Sequence, residues 1–86
     1  MKVTLPTPLI GYTTGNRNVE AEGTTLSELL DDLDRQYPGI RFRMIDEQGQ
    51  VRPHMRLFVN RELIRTIGAP LRAGDEVLVV AALSGG

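Results

Sequence analysis

One stripe of apolar side chains limits the folds that this chain can adopt. Five residues share the spacing i, i+3, i+4, i+7 and i+11: Leu26, Leu29, Leu30, Leu33 and Tyr37. This spacing gives a helix a single apolar face and leaves charged residues on the remainder of its surface. Such a face must be buried against another element, and a chain of 86 residues forms one small core. The stripe therefore predicts a helix that covers one face of a sheet.

The ends of this helix are also marked in the sequence. Thr25 is followed three residues later by Glu28, which is the spacing of a capping box. Pro38 and Gly39 come directly after the stripe, and neither residue favours continuation of a helix. The helix is therefore expected to begin after Thr25 and to end before Pro38.

Short alternating runs on both sides of the helix predict strands. The front half of residues 2–10 alternates, but Pro6 and Pro8 have no N–H to donate to a neighbouring strand, so the second half is a bulge, an exit or an edge. A turn-rich stretch at residues 11–18 leads to a second strand at residues 19–22. The other predicted strands are residues 55–59, 63–64 and 76–82. Residues 40–45 are ambiguous and compatible with a short helical turn, and residues 46–54 are interpreted as a loop.

The order of these elements predicts an α+β fold of the β-grasp (ubiquitin-like) type. Its mixed sheet has four to five strands, packs on one main helix, and places the first and last strands side by side and parallel at its centre. The leucine stripe is expected to pack on six apolar strand residues: Val3, Leu5, Val19, Leu57, Val77 and Val79. Residues 1–82 are then the β-grasp domain, and residues 83–86 are a flexible C-terminal tail that ends in Gly-Gly.

Composition excludes several classes of function. A net charge of −1 gives no indication of nucleic-acid binding, and no apolar run approaches membrane-spanning length. Cysteine is absent, which excludes disulfides, thiolate metal sites and a cysteine nucleophile from this chain. The first residues lack the apolar segment of a signal peptide, so the cytoplasm is the expected compartment.

Residues with catalytic potential are few. The single histidine, His54, lies in a predicted polar loop with no partner placed by any motif, and is interpreted as solvent-exposed. Asp31, Asp32 and Asp34 spread round the predicted helix instead of converging as ligands of a cation must, so we interpret them as a solvated acidic face. The sequence therefore predicts no metal site, no bound cofactor and no intrinsic catalytic residue, and the chain is not expected to be an enzyme.

The last strand continues into a short terminal segment, Leu83, Ser84, Gly85 and Gly86. Glycines usually supply a turn between elements, and here no element follows. They are compatible with a thin tail that carries a carboxylate into a partner's channel, or with an ordinary frayed terminus. Lys2 is the only lysine beside nine arginines, so a polymer linked through lysine side chains is not expected.

Alternation also predicts an apolar patch on the sheet. If Val77 and Val79 face the helix, Leu78 and Val80 lie on the opposite face, and Phe58 joins them. Exposed apolar patches of this kind mark protein interfaces, although single half-buried residues on a sheet are common. Arg61 and Arg72 are expected to flank this patch.

Several motifs resemble those of one family along nearly the whole chain. They are Gly23-Thr24-Thr25-Leu26, Tyr37-Pro38-Gly39-Ile40, Val59-Asn60, Leu71 to Val77, and the terminal Gly85-Gly86. In this order they are similar to those of the MoaD/ThiS family of ubiquitin-like sulfur carriers. The segment from Ile40 to His54 makes the chain more similar to the MoaD and CysO branches than to the thiazole-pathway carriers. The family commonly has a proline-rich approach to the tail, and this chain has residues 80–84 without proline, which leaves the pathway open.

The resemblance implies a mechanism centred on Gly86. An adenylyltransferase of the ubiquitin-activating type would use ATP to adenylate its carboxylate, and a sulfur donor would then convert it to a thiocarboxylate. Gly85, Ser84 and Leu83 would form the tail that enters the partners. The implied recipient is a sulfur-accepting synthase of cysteine or molybdenum cofactor biosynthesis, and the chain would be a co-substrate or the small subunit of a molybdopterin-synthase-like complex. A protein modifier that forms isopeptides through Gly86, and a non-covalent β-grasp interaction module, remain alternatives.

Overall fold

The computed structural model describes residues 1–82, and residues 83–86 lie outside the described part. The first five elements are strand β1 (Lys2–Thr4), a 3₁₀ helix (Thr7–Thr13), strand β2 (Asn18–Glu20), helix α1 (Leu26–Gln36) and helix α2 (Ile40–Met44). Three strands follow: β3 (Met55–Val59), β4 (Glu62–Ile64) and β5 (Glu76–Ala81). All the predicted strands and the main helix are present: β3 has the expected bounds, and the others differ from those expected by a few residues at most.

The strands form one mixed sheet in the order β2-β1-β5-β3-β4. The first and last strands are parallel neighbours, with Val3 opposite Val77, and the other neighbouring pairs are antiparallel. This is the predicted β-grasp arrangement, with five strands. Because β5 is central and its carboxyl end is the last part of the sheet, the chain leaves the sheet at the end where β3 begins.

The core lies between α1 and one face of this sheet. The leucines of the stripe have no exposed surface, and the six strand residues expected to pack on them are all buried. Burial of each side chain of this size contributes about 1.5–3 kcal/mol. Ile40, Met44 and Ile45 extend the same core, so the ambiguous segment does form a short helix that closes one end of it.

Helix α1 begins as predicted, with one difference in its cap. The Glu28 N–H donates to Thr25 Oγ1 at 3.2 Å, as a capping box requires. The Glu28 carboxylate accepts instead from the N–H and the hydroxyl of Thr24, at 2.9 and 2.7 Å. These bonds, the backbone bond first, lower the pKa of Glu28. In a capping box this carboxylate would accept from the N–H of the N-cap residue, Thr25, and here it accepts from the preceding residue, Thr24.

The 3₁₀ helix between β1 and β2 was not predicted. Pro6 and Pro8 end the alternating pattern, as expected, and the chain then winds into a seven-residue helix. Thr13 is buried in it and its hydroxyl contacts the carbonyl oxygens of Ile10 and Asn16 at 3.0 and 2.5 Å. The connection between β1 and β2 is therefore a hydrogen-bonded helix that lies beside the sheet. None of the helices within residues 1–82 is long and apolar enough to cross a membrane.

Candidate functional site

The face of the sheet opposite α1 carries apolar side chains in contact with solvent. Leu78 is 42% exposed and Val80 is 36% exposed, because they alternate along β5 with the buried Val77 and Val79. Phe58 of β3 lies directly opposite Leu78 and is half-buried. Leu63 of β4, which is opposite Phe58 and 37% exposed, extends the same row. We call Phe58, Leu63, Leu78 and Val80 the open-face patch.

Arg56 also lies beside this patch, and the sequence reasoning missed it. It is opposite Val80 in the sheet, and its guanidinium donates to the carbonyl oxygens of Pro53 and Met55 at 2.7 and 2.9 Å. The signal was present in the sequence, since the alternation that turns Leu57 inward turns Arg56 outward. Arg56 therefore places a positive charge at the end of the patch where β5 finishes.

Arg61 and Arg72, expected to flank the patch, lie toward its other end. The Asn60 N–H donates to the carbonyl oxygen of Glu76 at 3.0 Å, so the turn that contains Arg61 lies where β5 begins. The Arg72 N–H donates to the Asp75 carboxylate at 2.8 Å, just before the same strand. The carboxyl end of β5, at Ala81, lies at the opposite end of the sheet beside the start of β3.

Asp75 connects the two turns at this end. Its carboxylate accepts from the Arg72 N–H and from the Asn60 side-chain amide, both at 2.8 Å. These two bonds, the backbone bond first, lower the pKa of Asp75. Asn60 has a positive φ of 49°, which asparagine tolerates better than most residues. Its side-chain oxygen also accepts from the Glu76 N–H at 3.0 Å, so Asn60 fixes the start of β5.

The predicted tail residues lie outside the described residues. These are Leu83, Ser84, Gly85 and Gly86, the last being the expected site of adenylation. The end of the described chain is bonded to the sheet, because the Ala82 N–H donates to the carbonyl oxygen of His54 at 2.7 Å. This bond extends the pairing of β3 and β5 by one residue, so the segment that follows starts from a fixed point beside Arg56 and Val80.

The acidic residues of α1 do not converge on one site. Asp31 pairs with Arg41 at 2.9 Å, and Asp32 accepts from the Glu22 N–H at 2.9 Å and pairs with Arg35. Asp34 accepts from the N–H groups of Gly39 and Arg41 at 3.0 and 3.1 Å. The three carboxylates thus tie α1 to its surroundings. Within residues 1–82 no group of three or more potential ligands is arranged to hold a metal ion.

His54 is exposed in the turn before β3, as the sequence indicated. Its backbone carbonyl holds Ala82 through the bond described above, so its contribution to this end of the sheet comes from the main chain. The residues that the fold brings together are therefore an apolar patch, one arginine and the fixed starting point of the C-terminal segment. Exposed apolar patches of this kind are typical of surfaces that contact other proteins.

Comparison with known proteins agrees with this geometry. The model of the ThiS family matches residues 3–86. The sulfur carrier protein CysO of Mycobacterium tuberculosis is 35% identical over 89 residues, which span 98% of this chain and 96% of CysO. Its crystal structure superposes with a TM-score of 0.91 and 31% identity, covering 95% of this chain and 98% of that one. The predicted resemblance to the MoaD/ThiS sulfur carriers is thereby confirmed.

Two further structures extend the comparison. A chain of the Amycolatopsis orientalis BexX/CysO complex superposes with a TM-score of 0.91 and 32% identity, over 99% of this chain and 98% of that one. SAMP1 of Haloferax volcanii, a small archaeal modifier protein, has a TM-score of 0.78 and 28% identity, over 100% of this chain and 98% of its own. The ubiquitin-like β-grasp fold is confirmed by these neighbours.

Proposed function

Because this chain belongs to the ThiS family, we propose that it is a sulfur carrier whose C-terminal carboxylate, on Gly86, is adenylated and then converted to a thiocarboxylate. The observation that supports this best is the match over residues 3–86, which includes both terminal glycines. Sulfur carriers of this family are small carrier proteins rather than enzymes. The absence of cysteine is compatible with this function, since the sulfur is bonded to the main-chain carbonyl carbon.

The chemistry follows from the poor reactivity of a carboxylate toward nucleophiles. The carboxylate oxygen of Gly86 attacks the α-phosphorus of ATP, pyrophosphate leaves, and an acyl adenylate is formed. Sulfide then adds to the carbonyl carbon and AMP leaves with the electron pair of the C–O bond, which gives the thiocarboxylate. ATP is a substrate of the activating enzyme, an adenylyltransferase of the ubiquitin-activating type, and this chain needs no bound cofactor of its own.

The open-face patch is the surface through which this chain docks on its partners. Leu78 and Val80 expose apolar area beside the starting point of the tail, and a partner that covers this area gains from its burial. The CysO of A. orientalis occurs in a complex with BexX, and an equivalent association with a protein partner is proposed here. Similarity to CysO favours a synthase of cysteine biosynthesis as the recipient over the large subunit of a molybdopterin synthase.

The proposal is tested by intact mass spectrometry of this protein after incubation with its cognate activating enzyme, ATP and sulfide. We expect the mass increase of one oxygen replaced by sulfur, located at Gly86 by fragmentation. The variant Gly86→Ala is expected to be converted at least tenfold more slowly, because a methyl group beside the reacting carbonyl obstructs a channel shaped for glycine. Gly11→Ala is the matched control, since a Cβ at Gly11 has no neighbouring atom within 4 Å.

Two results would contradict different parts of the proposal. Absence of any ATP-dependent mass increase in the wild-type protein contradicts the carrier function itself, whereas equal conversion of the Gly86→Ala variant contradicts the requirement for glycine at the reacting position. A correctly folded Gly11→Ala protein that is converted like the wild type shows that the assay itself is sound.

The likeness to SAMP1 favours protein modification as the second candidate function. In that case the activated Gly86 is transferred to a lysine amine of another protein, and covalent conjugates resistant to reducing agents accumulate in cells. Lys2, the only lysine, is the only side-chain amine at which a copy of this protein can itself be modified. A sulfur carrier predicts the thiocarboxylate and no such conjugates, so immunoblots under reducing conditions separate the two functions.

A further inference from the structure

The last part of β5 has a neighbouring strand on only one side. On the β1 side the pairing runs from Lys2 and Glu76 to Thr4 and Leu78. On the β3 side it continues to Ala81, which lies opposite Met55. Residue 6 is a proline and has no N–H with which to continue the β1 side, and the chain turns away into the 3₁₀ helix. From Val79 onward, one edge of the central strand is therefore uncovered by any other strand in residues 1–82.

Alternation identifies the peptide groups that point to this edge. The carbonyl of Glu76 and the N–H of Ala82 both bond toward the β3 side, to Asn60 and His54, so the even-numbered residues of β5 face β3. The Met55 N–H donates to the carbonyl oxygen of Arg52 at 2.9 Å, so it is not directed at Ala81, the residue opposite. The odd-numbered residues consequently face the other way. The Val79 carbonyl and the N–H and carbonyl of Ala81 have no hydrogen-bond partner among the described residues.

These groups line a groove of about 990 Å³ between β5 and the 3₁₀ helix. The side of the groove that faces β5 consists mainly of the 3₁₀ helix and the residues that lead into it, including Pro6, Thr7, Pro8 and Tyr12. An unpaired strand edge that borders an open groove is a template for one more extended segment.

The charge of the groove has one sign. Its lining includes Arg17 and Arg43 and no acidic residue. Arg43 donates to the Tyr12 hydroxyl oxygen at 2.6 Å, and Arg17 donates to the Leu5 carbonyl and to Thr7 at 3.0 and 2.9 Å. Both arginines are exposed, and neither forms an ion pair with a carboxylate of residues 1–82. An acidic side chain on the occupant would therefore be complementary.

The position of the groove also limits its occupant. Ala82 is followed by four residues up to Gly86, and four extended residues span at most about 14 Å. An enzyme that reacts with the Gly86 carboxylate must hold its active site within this distance of Ala82. Its surface consequently lies over the end of β5, where the groove opens.

We propose that an extended segment of the activating enzyme, with an acidic side chain, adds to the Val79–Ala81 edge of β5 in this groove. The main-chain bonds are made by the Val79 carbonyl and by the N–H and carbonyl of Ala81, and the acidic side chain is placed beside Arg17 and Arg43. This inference rests on the proposed function, because it takes the activating enzyme as the partner. This edge contact is made through backbone atoms and is additional to the contact made by the side chains of the open-face patch.

The test compares two substitutions at one position. Ala81→Pro removes the N–H that points into the groove and breaks no bond within the sheet, since that N–H has no partner there. Ala81→Ser retains the N–H and is the matched control. With the cognate activating enzyme and ATP, calorimetry is expected to show that Ala81→Pro binds at least tenfold more weakly than the wild type and Ala81→Ser within about twofold. Arg43→Gln is expected to weaken binding severalfold and Arg43→Lys much less.

A second measurement does not depend on the folding of a variant. Amide hydrogen exchange of the wild-type protein is followed by NMR, with and without the enzyme. The Ala81 N–H is expected to exchange rapidly in the free protein and at least tenfold more slowly in the complex. The Ala82 N–H, which is bonded to His54, should be slower in both states and serves as the internal reference.

Each outcome decides between explanations. Equal binding of the two Ala81 variants, with no added protection of the Ala81 N–H, overturns the edge contact while leaving sulfur loading intact. Binding and protection without an acyl adenylate overturn the proposed function and leave the edge contact standing, and no binding by the wild type overturns both. If the Ala81 N–H is already protected in the free protein, the inference is overturned. Protection that is lost on deletion of Gly85 and Gly86 identifies the tail as the occupant of the groove. Protection that depends on protein concentration identifies a second copy of the chain as the occupant.

Discussion

Gly23 packs against the first turn of α1, and its replacement by alanine gives the sharpest prediction of stability. A Cβ built at this position lies 2.5 Å from the backbone nitrogen of Leu29 and 2.8 Å from the carbonyl carbon of Glu28. Both neighbours are main-chain atoms of a helix, so rotation of a side chain cannot relieve the overlap. The segment or the helix must move instead.

The size of the effect follows from the required displacement. Ordinary contacts between such atoms are about 3.5–4.0 Å, so the strand-to-helix segment must shift by about 1 Å. That shift disturbs the bonds from the Thr24 N–H and hydroxyl to Glu28, at 2.9 and 2.7 Å, together with the cap that they support. Overpacking costs about 1–3 kcal/mol, and loss of a helix cap costs about 0.5–2 kcal/mol. We expect Gly23→Ala to lower the free energy of unfolding by about 3 kcal/mol.

Urea unfolding, followed by far-UV circular dichroism, measures this difference. A loss of about 3 kcal/mol corresponds to a decrease in Tm of about 12–24 °C for a domain of this size. Gly11→Ala is again the matched control, because a Cβ there meets no atom within 4 Å. A Gly23→Ala protein within about 0.5 kcal/mol of the wild type would show that the helix start yields freely and would refute the argument.

Two further predictions concern the ends of the sheet. Asp75 has a lowered pKa because it accepts bonds from the Arg72 N–H and from Asn60. Its contribution to stability is therefore present above its unfolded pKa of about 3.9. This contribution is lost as the pH falls through the lower pKa of the folded protein. Urea titrations should therefore show stability decreasing below about pH 4, with a shallower decrease in Asp75→Asn; identical slopes would contradict this. Leu78→Ser is expected to weaken binding of the cognate activating enzyme about tenfold, or about 1.4 kcal/mol, with little change in stability. Phe42→Ser, at an apolar residue of α2 that is 54% exposed, should bind like the wild type. A Leu78→Ser protein that also binds like the wild type would place the docking surface elsewhere.

The main helix and the order of the strands could be predicted from local patterns. The leucine stripe keeps the helical period of about 3.6 residues over its whole length. Because so short a chain contains only one long amphipathic helix, the apolar face of that helix can be buried only against the sheet. Leu78 and Val80 could be assigned to the outer face because Val77 and Val79 alternate with them. These features depend on the periodicity of neighbouring residues, which is present in the sequence itself.

Features that depend on distant contacts were not predicted. The 3₁₀ helix follows two prolines and has no clear period, and its buried Thr13 is identified only by the carbonyls that fold around it. The uncovered edge of β5 results from the unequal lengths of two strands that are far apart in sequence. The positions of Arg61 and Arg72 relative to the carboxyl end of β5 likewise required the register between β3 and β5. The tail itself, residues 83–86, stays a prediction from the sequence.

The parallel pairing of β1 and β5 also determines how the domain responds to mechanical force. The chain enters the sheet through β1 and leaves it through β5, at opposite ends of the pair. Tension applied between the two ends of the chain therefore pulls these strands past each other and loads their hydrogen bonds together, in shear. Tension across the β3–β4 hairpin separates paired residues one after another. We therefore expect a larger unfolding force when the domain is pulled by its two ends than when it is pulled across the β3–β4 hairpin, although β1 has only three residues to pair with β5. Single-molecule pulling in these two directions measures the difference.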